Sequence, residues 1–419
     1  MTVSRWFLRL ALPAIVATAA VLADAGAGLA DGPLTHHPAA DRKLGYRVND
    51  VILDGSFAYV ATDRGLTIFD ISSPLNPVRR GSVVTANCNV SCTRGPVARS
   101  QGLAKKGDFV YLAAGTSGMQ VVNVANPDAP VTIASAIAPT RGTIYDVAVH
   151  PTANAAYVAS YSGEVYVWDI SNPAAPVFKQ ALGVMMWGGG VCDTCVARMF
   201  SEITNGTAYV TGVATAGNIV AAVDWGYGGL YLWDSTDPFR LSFLGTHRLK
   251  VSLYRVELDL SRVAYTLGAF WFNSGLITFP LQPTIDNGVA YCSTFGGGPV
   301  PAPASPAPPC GSGAVCVPCG HAKMTTSSGS PLAGDGGGVG YSTSGKYAFY
   351  VGGRGTGELA IVNVEDPYNV FKVASTPVGL MGLQLAEAAG IVARNDVLYV
   401  AAGLLGLRVY TFPGLGSSP

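Results

Sequence analysis

The sequence predicts an all-β protein: a single β-propeller of about seven four-stranded blades, its ring closed by an N-terminal strand joining the last blade. Three observations carry this. A pattern of strand, hairpin and strand ending in Asp or Asn, a turn and Pro recurs at intervals of about 50 residues, which suits a four-stranded blade. The 52 glycines and 27 prolines fit many short strands divided by turns. With 49% hydrophobic and only 12% charged residues, the chain is too apolar for disorder.

The first copy runs from Phe57 to Thr62, then Gly65 to Asp70, then through a turn to Pro77. The second has Val110 to Ala114, Gly118 to Asn123 and Pro130, and the third Ala156 to Ser160, Gly163 to Asp169 and Pro176. Later copies end on Leu230 to Asp234 with Pro238, and on Leu359 to Asn363 with Pro367. Two are degenerate, at Ala264 to Pro280 and Leu398 to Tyr410. Alternating apolar residues mark the strands, and the Gly between them marks a hairpin. Asp or Asn at the end of the third strand suits a side chain that accepts the amides of the following turn. Pro then removes a donor where the ladder must stop. The repeated acidic residues therefore read as scaffold rather than as a catalytic row.

Residues 1–30 read as a signal peptide: Arg5 and Arg9, an apolar run from Leu10 to Leu22, then small residues around Ala23 to Ala30. A membrane anchor is the competing reading, disfavoured because the run is short for a span. The propeller then occupies 31–419, with a Pro-, Gly- and Ser-rich, Cys-containing insertion at about 296–338 that is expected to be irregular. The last copy leaves no room for an outer strand, so the segment Arg42 to Tyr46 is expected to supply it. No second apolar stretch is long enough to cross a bilayer, and the localisation expected is secreted, periplasmic or cell-surface.

The stretch Gly65 to Pro77 and its counterparts follow the pattern Gly-Leu-x-Val-Val-Asp-Val-x-x-Pro-x-x-Pro. On that pattern the chain resembles the LVIVD-repeat family of bacterial secreted β-propellers. The resemblance implies the fold and an extracellular setting, and adds little about mechanism. Trp168-Asp169 and Trp233-Asp234 also resemble the WD repeat, but its Gly-His partner is missing.

The residues that differ between copies gather in the crossings from one copy to the next. All eight cysteines lie in or beside them: Cys88, Cys92, Cys192, Cys195, Cys292, Cys310, Cys316 and Cys319. In an exported chain an even count reads first as disulfides, of undetermined connectivity. Zinc held by the Cys-x-x-Cys pairs is the alternative, and no metal or cofactor is assigned. Arginines stand near the start of inner strands, at Arg47, Arg99, Arg141, Arg198 and Arg255, with Asp50, Asp146, Glu202 and Glu257 among the residues shortly after them. A ring of guanidiniums would suit carboxylate, sulfate or phosphate groups, whereas pairing with those carboxylates would merely satisfy the channel.

A formal net charge of zero argues against nucleic acid as a partner. There is no Gly-x-Ser-x-Gly elbow, phosphate loop or His-Glu-x-x-His. The function expected is a non-enzymatic scaffold that meets a protein or glycan ligand on its Cys- and Arg-bearing face. The alternative is an exported hydrolase or lyase acting on an anionic polymer, with Arg141, Arg198 or Arg255 binding charge and Asp146, Glu202 or Glu257 as acid or base.

Overall fold

The structure is a computed structural model. It describes residues 33–85, 102–139, 142–183, 209–224, 229–248, 252–259, 263–269, 275–295, 298–299, 315–323, 337–352, 357–379 and 390–419. Nearly all of the regular structure is antiparallel strand. In the first sheet Val48–Asp54, Phe57–Thr62, Gly65–Asp70 and Val78–Val84 follow one another as neighbours. The same order is repeated by Leu103–Lys106 to Val131–Ala136, by Ile144–Val149 to Val177–Gly183, and by Gly337–Tyr341 to Phe371–Pro377. These are the four-stranded blades of a β-propeller.

Burial explains why they assemble. A second strand such as Ala155–Ser160 is buried at every position, so both of its faces need cover. An outer strand such as Val177–Gly183 alternates exposed and half-buried residues along its first half. Among the described residues the buried apolar side chains fall into seven clusters, each drawn from repeats adjacent in the chain or from the two ends of the chain. One packs Tyr59 and Ile68 on Val110 and Leu112; another packs Val48, Val60 and Phe69 on Tyr399, Leu407 and Val409.

The turn chemistry is as the repeat implies. Asp70, Asn123, Asp169, Asp234 and Asn363 each accept the amide two residues on, at 2.8–3.1 Å. A second side chain follows suit in four copies: Asn126, Asn172, Asp237 and Asp366 cap their own turns at 2.9–3.2 Å. These residues are structural.

Three expectations are corrected. The first is the blade count: among the described residues there are six sheets rather than seven separate blades, five with four strands and one with ten. The large sheet holds two four-stranded runs. One is Val210–Ala216 to Ser242–Arg248; the other is Ser252–Asp259, Val263–Ala269, Gly275–Pro280 and Val315–Lys323. Strand Val289–Phe295 lies parallel between their outer strands and satisfies the open edge of each. Its approach needs two glycines. A Cβ on Gly245 would lie 2.2 Å from the Gly288 carbonyl oxygen, and Gly288 itself has φ +73°, where it caps the short helix Gln282–Asn287.

The second correction concerns the insertion at 296–338, expected to be irregular. It contributes Val315–Lys323, the fourth strand of the run that follows Gly275–Pro280. The third concerns the N-terminal segment. Strand Thr35–His36, not Arg42 to Tyr46, lies along Leu407–Thr411, and Arg42 adds only an isolated bridge to Leu407. The 3₁₀ turn Pro38–Ala40 separates the two contacts.

That edge is well held. The His36 ring stacks on Tyr410 at 4.6 Å, His37 Nε2 meets Thr411 Oγ1 at 2.9 Å, and Arg42 and Leu407 exchange backbone hydrogen bonds at 2.8 and 3.0 Å. Deleting residues 33–41 is expected to lower Tm by several degrees in a thermal melt followed by circular dichroism. A melt unchanged from the full chain would show that this edge contributes no stability.

Candidate functional site

Inner strands line a central cavity of about 610 Å³. Several of these strands begin with a register irregularity, between Val48 and Asp50, Ile144 and Asp146, Val210 and Gly212, and Leu253 and Arg255. A bulge re-aims the side chain beside it. Asp50, Asp146, Arg255 and Glu257 all reach the cavity from these strands.

The two aspartates bind backbone first. The Val51 and Leu103 amides donate to Asp50 at 2.9 and 3.3 Å, and the Val147 and Val213 amides donate to Asp146 at 3.0 and 3.2 Å. Each carboxylate thus ties its own inner strand to that of the next repeat. Their remaining valence goes to one guanidinium. Arg255 Nη1 lies 2.6 Å from Asp146 Oδ1, and Nη2 lies 3.3 Å from Asp50 Oδ2. The three side chains are only 13%, 7% and 13% exposed for Arg255, Asp146 and Asp50, so this is a largely buried triad spanning the cavity.

Glycine makes room for it. A Cβ on Gly102 would lie 2.0 Å from Asp146 Oδ1, and one on Gly390 would lie 1.9 Å from Asp50 Oδ1. Around the axis, charged side chains therefore alternate with positions that tolerate none.

Glu257 stands apart. Among the described residues none donates a hydrogen bond to its carboxyl. Burial, reinforced by the charges of Asp146 and Asp50 and opposed by Arg255, pushes it up to about 8. Burial also pushes Asp50 up to about 6, against the pull of Arg255. The site thus holds a protonated carboxyl beside an ion-paired cluster near neutral pH. Lys105, at the same cavity, donates to Asp54 at 2.5 Å.

Of the residues singled out from sequence, Arg255, Asp146 and Glu257 come together here. Arg47 is buried at the head of the first inner strand, its carbonyl accepting the Asp63 amide at 3.1 Å. Arg99, Arg141, Arg198 and Glu202 lie outside the described residues, as do Cys88, Cys92, Cys192, Cys195 and Cys310, and the Cys316 side chain. Cys292 and Cys319 are joined in a disulfide. Asp50 was recognised only as a neighbour of Arg47; its partnership with Arg255 crosses 205 residues and has no local signal.

Family comparison bears on the repeats themselves. Three segments, residues 46–85, 99–136 and 142–182, match the LVIVD repeat. The chain carries LVIVD repeats. They coincide with the first three sheets, so the Asp-turn-Pro hydrogen bonds above are the physical content of the LVIVD pattern in this chain. No curated protein matches the chain. Among solved structures, the β-propeller domain of Cps50 (Swd1) from Myceliophteria thermophila is similar over 88% of this chain and 98% of that one, with a TM-score of 0.53 at 13% identity. Such a likeness shows the fold alone. No described helix is long and apolar enough to cross a membrane.

Two outcomes are expected. Arg255→Ala leaves two buried carboxylates without their cation and should destabilise the fold by about 3–5 kcal/mol in denaturant titration, whereas Arg255→Met combined with Asp50→Asn and Asp146→Asn should recover part of that loss. Glu257 concerns pH. In an unfolded chain it ionises near 4.5, but in the folded chain near 8, so between these values the folded state keeps a proton that the unfolded state has lost. Stability from this group is full below the lower value and falls as pH rises toward the upper one. Glu257→Gln should therefore melt above the wild type by a few degrees at about pH 9, with a smaller gap at about pH 5. A gap independent of pH would contradict the assignment.

Proposed function

We propose that this chain is an exported, non-enzymatic binding scaffold: a closed ring of β-sheet repeats that offers the mouth of its channel to a protein loop or glycan end. The seven interface clusters support the ring, since one of them packs the first sheet on the last. In this reading Thr35–His36 closes the ring along Leu407–Thr411 of the last sheet. Export rests on the signal-peptide pattern at residues 1–30.

One observation carries the choice of site. Asp50, Asp146 and Arg255 satisfy one another, but the Glu257 carboxyl in the same cavity has no hydrogen-bond partner among the described residues. Glu257 is half-buried and its carboxyl reaches the cavity, where a ligand hydroxyl or amide would find a hydrogen-bonding group not already committed to a described residue. The paired state of Arg255 also moves the reading away from anion capture by that residue and toward a neutral, hydrogen-bonding ligand.

The test is capture of glycans and displayed peptides by the wild type, followed by affinity measurement with Glu257→Ala. Captured ligands should bind the variant at least about tenfold more weakly, a difference of about 1.4 kcal/mol. Unchanged affinity for all of them would remove the channel as the site. A hydrolase or lyase reading draws on Glu257, raised to about 8, beside Asp50, raised only to about 6, a pairing that suits acid and base roles. Turnover lost in Glu257→Gln with binding retained would favour it.

A further inference from the structure

The joint between the two runs of the ten-stranded sheet holds a second cluster of chemistry-bearing side chains, which shares no residue with the channel triad. Cys292 lies on the joining strand Val289–Phe295 and Cys319 on its parallel neighbour Val315–Lys323. His247 comes from the outer strand Ser242–Arg248 on the other side of the joining strand. The donor atoms of the three residues all lie within 4.8 Å of one another, and the residues are 0%, 7% and 1% exposed for His247, Cys292 and Cys319.

The imidazole is oriented for a ligand role. Its Nε2 faces Cys319 Sγ at 3.4 Å, while Nδ1 lies 3.2 Å from the Thr284 hydroxyl on the helix Gln282–Asn287. A proton on Nδ1 directed at Thr284 leaves the Nε2 lone pair aimed at the sulfur. That is the arrangement of a metal-binding histidine, whose other ring nitrogen is fixed by an oxygen outside the metal's own shell. The Cα atoms of Cys292 and Cys319 are 5.3 Å apart, so both sulfurs can reach one tetrahedral ion once they are no longer bonded to each other.

We propose that Cys292, Cys319 and His247 form a disulfide-masked zinc site: oxidised, the pair is a cross-link; reduced, the two thiolates and Nε2 bind one Zn²⁺, with water as the fourth ligand. The exchange balances. A dithiol reductant transfers two electrons and two protons to the disulfide, becoming a cyclic disulfide itself and leaving two cysteine thiols. Zn²⁺ then displaces both thiol protons into solvent and binds the thiolates. Two thiolates and an imidazole suit Zn²⁺ better than Ca²⁺ or Mg²⁺, which prefer oxygen. In either state the joining strand is fastened, by the disulfide to one neighbouring strand or by the metal to both.

The test uses the full chain with the other six cysteines replaced by Ser, reduced with dithiothreitol, freed of it without air, and titrated with Co²⁺ alone. One Co²⁺ per chain is expected, with sulfur-to-metal charge-transfer absorption and tetrahedral ligand-field bands. Both signals should vanish in His247→Ala, in Cys319→Ser and in the air-oxidised protein. A folded, reduced chain without these bands, or full binding by His247→Ala, would overturn the site. Should the six-Ser chain fail to fold, reduced wild type is alkylated with and without Zn²⁺, and modification of Cys292 and Cys319 is read by peptide mass spectrometry. At least tenfold slower labelling of both with Zn²⁺, abolished in His247→Ala, is expected; equal rates with and without Zn²⁺ would overturn the site.

Discussion

Each sheet of this protein depends on its neighbours because its middle strands present apolar side chains on both faces. Val110 and Leu112 pack toward the first sheet while Tyr111 and Ala113, one residue out of step, pack toward the third. The strand period of two turns alternate residues to opposite faces, so covering one face leaves the other bare. Stability then accrues interface by interface, as in other repeat proteins. The outer strands need less, and some of them carry exposed ion pairs: Arg80 reaches Asp70 in its own sheet at 3.1 Å and Asp128 in the next at 2.7 Å. Exposed pairs of this kind add modestly to what the buried interfaces supply.

The same packing determines the chemistry of the axis. Inner strands brought together around a cavity crowd their first residues, and the crowding is relieved by alternation of side-chain size. Where Asp50 and Asp146 project, Gly390 and Gly102 yield the space. The aspartates are then committed twice, to backbone amides and to Arg255. A guanidinium serves both because its nitrogens form a rigid planar fork, with Nη1 directed at Asp146 and Nη2 at Asp50. Glu257 is left in the low-dielectric remainder with two anionic neighbours, and retaining its proton is the cheaper state. The unusual protonation at the site is a consequence of how the ring is packed.

What could be read from sequence follows from the range of each interaction. The Asp-turn-Pro hydrogen bonds span two residues, so Asp70, Asp169 and Asp234 declare themselves in any copy. Strand spacing is equally local, and the repeated sheets were legible for that reason. The Arg255–Asp50 contact spans 205 residues and joins strands of different repeats, so pairing each arginine with a carboxylate a few positions away could not find it. Cys292–Cys319, with partners 27 positions apart, was hidden in another way. Composition marked 296–338 as irregular, yet a strand begins at Val315 within it and pairs with Gly275–Pro280. The N-terminal edge strand was misplaced by a few residues because Thr35 and His36 carry no apolar pattern; stacking of His36 on Tyr410 and backbone pairing with Leu407–Thr411 place them.

The joint in the ten-stranded sheet shows what departure from the repeat requires. A parallel strand between two outer edges has no hairpin to hold its register, unlike the antiparallel strands of the ordinary sheets. Val289–Phe295 has three substitutes instead. Thr246 donates its amide to the Gly288 carbonyl at 2.9 Å, Gly245 lets the backbones approach, and the Cys292–Cys319 bond fixes the strand laterally. His247 and Thr284 fill the space left behind the disulfide, both fully buried. A buried imidazole contributes less packing than an aliphatic side chain of similar size and must be desolvated, so packing alone gives little reason for histidine at 247. The regular repeats account for the ring; the residues they do not account for are concentrated at the axis and at this joint, where side chains meet in arrangements that structure alone does not require.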